Sequence, residues 1–118
     1  MVQAFQIHAI LQTAAFLLFA SGVTYARRHR MRSHHKLIYT GIVAHTIAVV
    51  LMIIERGGLP SLHGQLGFIV YLLMVFTTMS GRFILRRRVK RTQHRALSYI
   101  ALVAMFSMIL HGVFSFLI

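Results

Sequence analysis

The chain has 118 residues, 58% of them hydrophobic and only 12% charged, and its net charge of +12 comes from 13 Lys and Arg against a single acid, Glu55. A soluble domain carries about a quarter charged residues, so the composition excludes an ordinary water-soluble globule, and the length excludes more than one domain. The absence of cysteine excludes disulfides, iron–sulfur ligation and covalent haem attachment, and a lone carboxylate excludes paired-acid hydrolysis, acidic calcium sites and carboxylate-bridged metal pairs.

Taken in order, the first apolar run covers 3–26 and is interrupted only by Gln3, Gln6, His8, Gln12 and a few hydroxyls. No Lys or Arg precedes it, so it lacks the basic start of a signal peptide and reads as a true span. A basic segment, 27–36, leads to a second run over 37–54 with His45 as its one strongly polar member. About 20 helical residues cross a hydrocarbon core, so 18 suffice if flanking residues snorkel. Glu55-Arg56-Gly57-Gly58-Leu59-Pro60 has turn chemistry, and Pro60 is suited to begin the third run, 62–85. A second basic segment, 86–95, precedes the last run, 96–118. Four spans with short connections predict an all-α, up-and-down four-helix bundle in a lipid bilayer.

Charge gives the expected orientation. Five of the Lys and Arg lie in 27–36, seven in 82–95, and only Arg56 lies elsewhere. Both clusters fall on one side of a four-span chain. The positive-inside rule makes that side cytoplasmic and puts both termini and the 55–62 loop outside a plasma membrane. A soluble protein this basic would suggest nucleic acid; here the cations are bunched between apolar runs, and attraction to anionic headgroups accounts for them without any nucleic-acid partner.

The four spans contain an internal repeat. His8-Ala9-Ile10-Leu11 aligns with His63-Gly64-Gln65-Leu66, which brings Phe16-Leu17-Leu18 onto Tyr71-Leu72-Leu73 and Arg27 onto Arg82. In the second and fourth runs, His34, Leu37 and Tyr39 align with His94, Leu97 and Tyr99, and Val43-Ala44 with Val103-Ala104. A helical hairpin used twice about an axis along the membrane normal brings His8 to His63 near one surface, and His34 or His35 to His94 near the other.

Ionisable groups within a bilayer are costly and usually face the bundle interior. That singles out His8, with Gln12 and Ala15 on one helical stripe. It also singles out His63 between Gly64 and Gly67, His45 in mid-span, and His94. His34 and His35 stand at the membrane edge, where solvation is an alternative, and His111 lies on a polar stripe with Ser107 and Ser115. Methionines 52, 74, 79, 105 and 108 read as packing. Paired imidazoles from separate helices suit six-coordinate haem iron, whereas zinc calls for more ligands and an aqueous surface. Glycines beside the histidines let a flat ring approach the backbone.

Ser61-Leu62-His63-Gly64-Gln65-Leu66-Gly67 resembles the S-L-H-x-W-L-G motif of the cytochrome b561 family, and His94-Arg95-Ala96-Leu97-Ser98 is similar to its H-r-x-L-G motif. His8 before a long apolar run resembles the opening of that family's first core helix. The resemblance implies two b haems, or at least one, held between the first and third helices and between the second and fourth. It further implies electron transfer across the membrane; the Arg- and Lys-rich cytoplasmic side makes an anionic reductant such as ascorbate, or a quinol at the interface, the expected donor, with a redox partner protein or a homodimer as further partners. His8 and His63 are then one axial pair. For the other, the family's ligand position on the second helix is occupied by Tyr39, so His45, His35 and His34 are alternative partners for His94. His45 ranks first because a mid-span histidine most needs a partner. Ala9 and Gln65 stand where the family has proline and tryptophan.

A second resemblance leads elsewhere. His8-Ala9-Ile10-Leu11-Gln12-Thr13-Ala14-Ala15-Phe16, a basic turn and His35-Lys36-Leu37-Ile38 look like a group of small four-span proteins linked to haem–copper oxidase assembly. That resemblance implies an assembly or cofactor-delivery role without redox turnover. A proton-coupled exporter is disfavoured, because no carboxylate lies within any span.

Overall fold

The computed structural model describes residues 3–85, 87 and 89–117, the side chains of 85, 116 and 117 excepted. Positions 86 and 88 of the second basic segment, and 118 at the end of the fourth expected span, lie outside the described residues. Four helices account for almost all of the rest: α1, Ala4–Arg27; α2, Met31–Arg56; α3, Leu62–Leu85; and α4, Arg91–Leu117. Each is long and apolar enough to cross a membrane. The fold class expected from the hydrophobic runs is the one observed.

Both α2 and α4 begin one to two turns before the apolar runs do, so Arg32, His34, His35 and Lys36 are helical rather than part of a loop. Arginine and lysine are good helix formers, and a helix that overshoots the hydrocarbon can project them into the headgroups. The bundle is 44 Å long, against a hydrocarbon core of about 30 Å. That leaves room for a polar turn at each end.

What remains of the first basic turn is Arg28–Arg30. His29 takes φ 59, and two backbone bonds, Arg30 N–H to Tyr25 O and His29 N–H to Ala26 O, close the end of α1 in the Schellman manner. Gly57 closes α2 in the same way at φ 69, with Gly58 N–H bonded to Ile53 O. Here glycine bears the left-handed conformation without steric cost. At the start of α3 the Ser61 hydroxyl accepts from Gly64 N–H at 3.0 Å, an N-cap. At the start of α4, Gln93 Oε1 accepts from Lys90 N–H at 2.9 Å.

Helices α1 and α2 form one hairpin and α3 and α4 a second. The hairpins meet along α1–α4 and α2–α3, while the backbones of the diagonal pairs α1/α3 and α2/α4 stay apart among the described residues. Matching helices of the repeat thus occupy opposite corners of a square, as a pseudo-twofold axis along the bundle requires. Polarity is inverted relative to a soluble bundle. Ile10, Ile54, Leu62, Val103 and Phe114 are among the most exposed side chains, whereas His45, Thr77 and Ser80 are buried. Lipid can solvate the former; His45 and Ser80 bond to side chains of neighbouring helices, and the Thr77 hydroxyl donates to the Leu73 carbonyl within α3.

The small core is Ala15, Phe19, Met74, Ala101 and Met105. Phe19 is fully buried, and a Cβ at Gly41 would lie 2.9 Å from its ring. The aromatic ring is therefore what the glycine accommodates. In the other hairpin the equivalent positions are Met74 and Ala101, a thinner side chain opposite a larger one. Between hairpins, the Thr46 and Tyr71 hydroxyls are 2.9 Å apart and Phe16 packs on Phe106 at 5.5 Å. Arg82 Nε donates to the Tyr39 hydroxyl at 2.9 Å, with its guanidinium over the same ring.

Candidate functional site

The histidines sort by depth into two groups. His8, His45, His63 and His111 lie toward the end that holds the start of α1, the end of α4 and the α2–α3 connection, hereafter the loop end. His34, His35 and His94 lie at the opposite, basic end. His45 is eleven residues along α2 from His34, about 16 Å at 1.5 Å per residue, and it packs beside Gln12 of α1 rather than near His94.

A cavity of about 880 Å³ opens between the hairpins at the loop end. All four helices contribute to its wall. His8 and Gln12 come from α1, His45 and Val49 from α2, His63, Gly64 and Gly67 from α3, and Met105, Met108 and Gly112 from α4. The cavity is mainly apolar, with three imidazoles converging on it, the pattern expected of a small-molecule or cofactor site. His8 comes from one hairpin and His63 from the other. The space near His63 depends on glycine, since a Cβ at Gly112 would lie 3.2 Å from His63 Cε1.

Each ring is oriented through Nδ1. His8 Nδ1 donates to the Ala48 carbonyl at 2.9 Å, and His45 Nδ1 donates to Gln12 Oε1 at 2.6 Å. An N–H given to an oxygen acceptor fixes the tautomer in which Nε2 carries the lone pair, which is how metal-binding histidines are usually held. His45 is 3% exposed, and its Nε2 is buried with no hydrogen-bond partner. A buried polar atom left unpaired in a cavity wall calls for an explanation, and a ligand in the cavity supplies one. His63 and His111 stack with ring centroids 5.2 Å apart and Nδ1 atoms 3.0 Å apart, so one ring donates to the other. His111 is exposed and meets the site through His63.

At the basic end, His34 Nδ1 donates to the Gly22 carbonyl at 2.8 Å. His94 Nδ1 donates to the Ser80 hydroxyl at 2.7 Å, and Ser80 in turn donates to the Thr77 carbonyl at 2.6 Å. Thr77 is the repeat equivalent of Gly22. The two histidines therefore reach matching backbone carbonyls, one directly and one through a serine. Gly81 makes room for the His94 ring, since a Cβ there would lie 3.2 Å from it. His35 is exposed and stands against Tyr39, and His29 is in the exposed turn.

Several contributors are silent in the sequence. Ser80 and the carbonyls of Ala48 and Gly22 gain their roles only through helix contact. Arg56 and Met105 line the cavity without belonging to any polar motif. The described residues contain no group of three or more His, Cys, Asp or Glu placed to hold a metal ion. Comparison with protein-family models, curated proteins and solved structures finds no match to this chain.

Proposed function

We propose that the protein is a b-type cytochrome of the membrane, similar in plan to the cytochrome b561 family, that passes electrons from a cytoplasmic-side reductant to an acceptor on the other side. The observation that carries this reading is the loop-end cavity with His8 on one hairpin and His63 on the other. The residues present fit haem b. The cavity has apolar walls, Gly112 beside the His63 ring, Nε2 lone pairs on His8 and His45 set free by their Nδ1 hydrogen bonds, and an unpartnered buried Nε2 on His45. His8 and His63 would hold the iron, and His111 would orient His63. Bound haem supplies reversible one-electron chemistry at its iron.

The protein's own work is to exclude water, hold the rings in one tautomer, and present a dry wall of Val49, Met105 and Ile109. Burial of this kind raises the effect of every nearby charge and hydrogen bond on the redox potential. At the basic end His94 and His34 stand at matching depth and are the better-placed pair for a second haem, with His35 at the surface beside them. His45, which ranked first from its mid-span position, lies instead in the wall of the loop-end cavity. The Lys and Arg of the basic end would attract an anionic reductant such as ascorbate, or steer a quinol headgroup. The positive-inside rule places that end in the cytoplasm and the cavity on the outer side of the plasma membrane.

The test is an absorption spectrum of detergent-extracted protein from cells supplied with haem. A b-type Soret and α band on reduction, with the same spectral component lost in His8→Ala and His63→Ala, is expected. A colourless protein that takes up no added haemin would refute this function and favour the assembly or cofactor-delivery role.

A further inference from the structure

Arg56 is the only Lys or Arg outside 27–36 and 82–95, and it lines the rim of the loop-end cavity. It is the last residue of α2. A cation there complements the helix C-terminus, but that accounts only for a basic residue at this position and not for its place on a cavity wall. The Arg56 side chain makes no hydrogen bond or ion pair among the described residues. Glu55, its sequence neighbour and the chain's only acid, shares a separate shallow recess with it and does not line the cavity.

The cavity is thus polarised along its length. Farther along the helices its wall includes Gln12, His45 and Met105, with no Lys or Arg among them. Its rim carries one guanidinium with Gln6 and Ser61 nearby. A carboxylate away from the rim would have no cation to meet it, and an unpaired buried carboxylate is strongly disfavoured. At the rim the planar guanidinium can take a carboxylate by two parallel N–H···O bonds. The occupant that suits this wall is a flat apolar body with its acid at one edge.

We propose that Arg56 binds a propionate carboxylate of the haem and so orients the propionate edge toward the loop end. This rests on the haem reading above and extends it to a residue that the histidine pattern does not mark. Arg56 would be a positioning and affinity residue, with no part in ligating iron.

The experiment titrates full-length apoprotein in lipid nanodiscs with iron(III) protoporphyrin IX and, separately, with its dimethyl ester, following the Soret band. The ester keeps the ring and the iron and removes the negative charges. Wild type should bind the free acid about tenfold more tightly than the ester, the ratio set by about 1.4 kcal/mol. Arg56→Gln should abolish that preference while leaving ester affinity unchanged, and Arg56→Lys should retain part of it. Arg56 is exposed, so these variants are expected to fold, and helical circular dichroism checks this. Equal binding of the two porphyrins by wild type, or an R56Q chain that weakens both alike, overturns the assignment of Arg56 and leaves the haem reading standing. Binding of neither porphyrin by wild type overturns the haem reading, and this inference with it.

Discussion

Replacing Gln12 by methionine tests the bond that sets the His45 tautomer. Methionine keeps nearly the same length and fills irregular space, but cannot accept the Nδ1 proton that Gln12 Oε1 receives at 2.6 Å. His45 is then a buried ring, 3% exposed, with neither nitrogen satisfied by a side chain. In a water-soluble core the stranded donor would cost about 1–3 kcal/mol. Within a bilayer such pairs average about 0.6 and reach about 1.7 kcal/mol, because the unfolded chain in lipid also finds partners. The bilayer figure governs here, since lipid surrounds both helices. Gln12→Met should therefore cost about 1 kcal/mol, within that range. His45→Leu alone leaves the Gln12 amide without its donor. The double variant, which removes both partners, should be more stable than the sum of the single losses by about 0.6–1.7 kcal/mol. Reversible unfolding in mixed micelles, followed by helical circular dichroism on the four proteins, measures this. Additivity to within about 0.3 kcal/mol would refute a bond of this kind between α1 and α2.

Two further outcomes are expected. Gly41→Ala puts a methyl 2.9 Å from the Phe19 ring, which is fully buried and cannot retreat; overpacking should cost about 1–3 kcal/mol, and adding Phe19→Leu should recover most of it in the same unfolding assay, so an undiminished Gly41→Ala chain would disprove the contact. Because the chain has no cysteine, single cysteines report sidedness directly: in intact cells a membrane-impermeant maleimide should label P60C and leave R30C and T92C unlabelled until the membrane is opened, and the opposite pattern would reverse the proposed orientation.

The sequence by itself determined that there are four helices long and apolar enough to span a membrane, where the three connections between them fall, and that the chain repeats a hairpin. Long apolar runs can satisfy their backbone in lipid only as helices, and the matched His8/His63 and His34/His94 positions are visible without any coordinates. It also marked His45 as needing a partner. What it could not decide was which face of each helix turns inward, because a helix solvated by lipid is apolar all round and its periodicity does not separate core from exterior. Helix rotation was decided by tertiary packing, in which Phe19 fits against Gly41, and the His94 ring against Gly81. Only that packing brings Gln12 to His45 across 33 residues and His63 to His111 across 48. It also draws His45 into the loop-end cavity, and it sets Arg56, read from charge alone as the exception to both basic segments, on the rim of that cavity. The Nδ1 acceptors at Ala48 and Gly22 are backbone carbonyls, which every residue carries. No side-chain pattern could have named them, and contact between helices alone selects them.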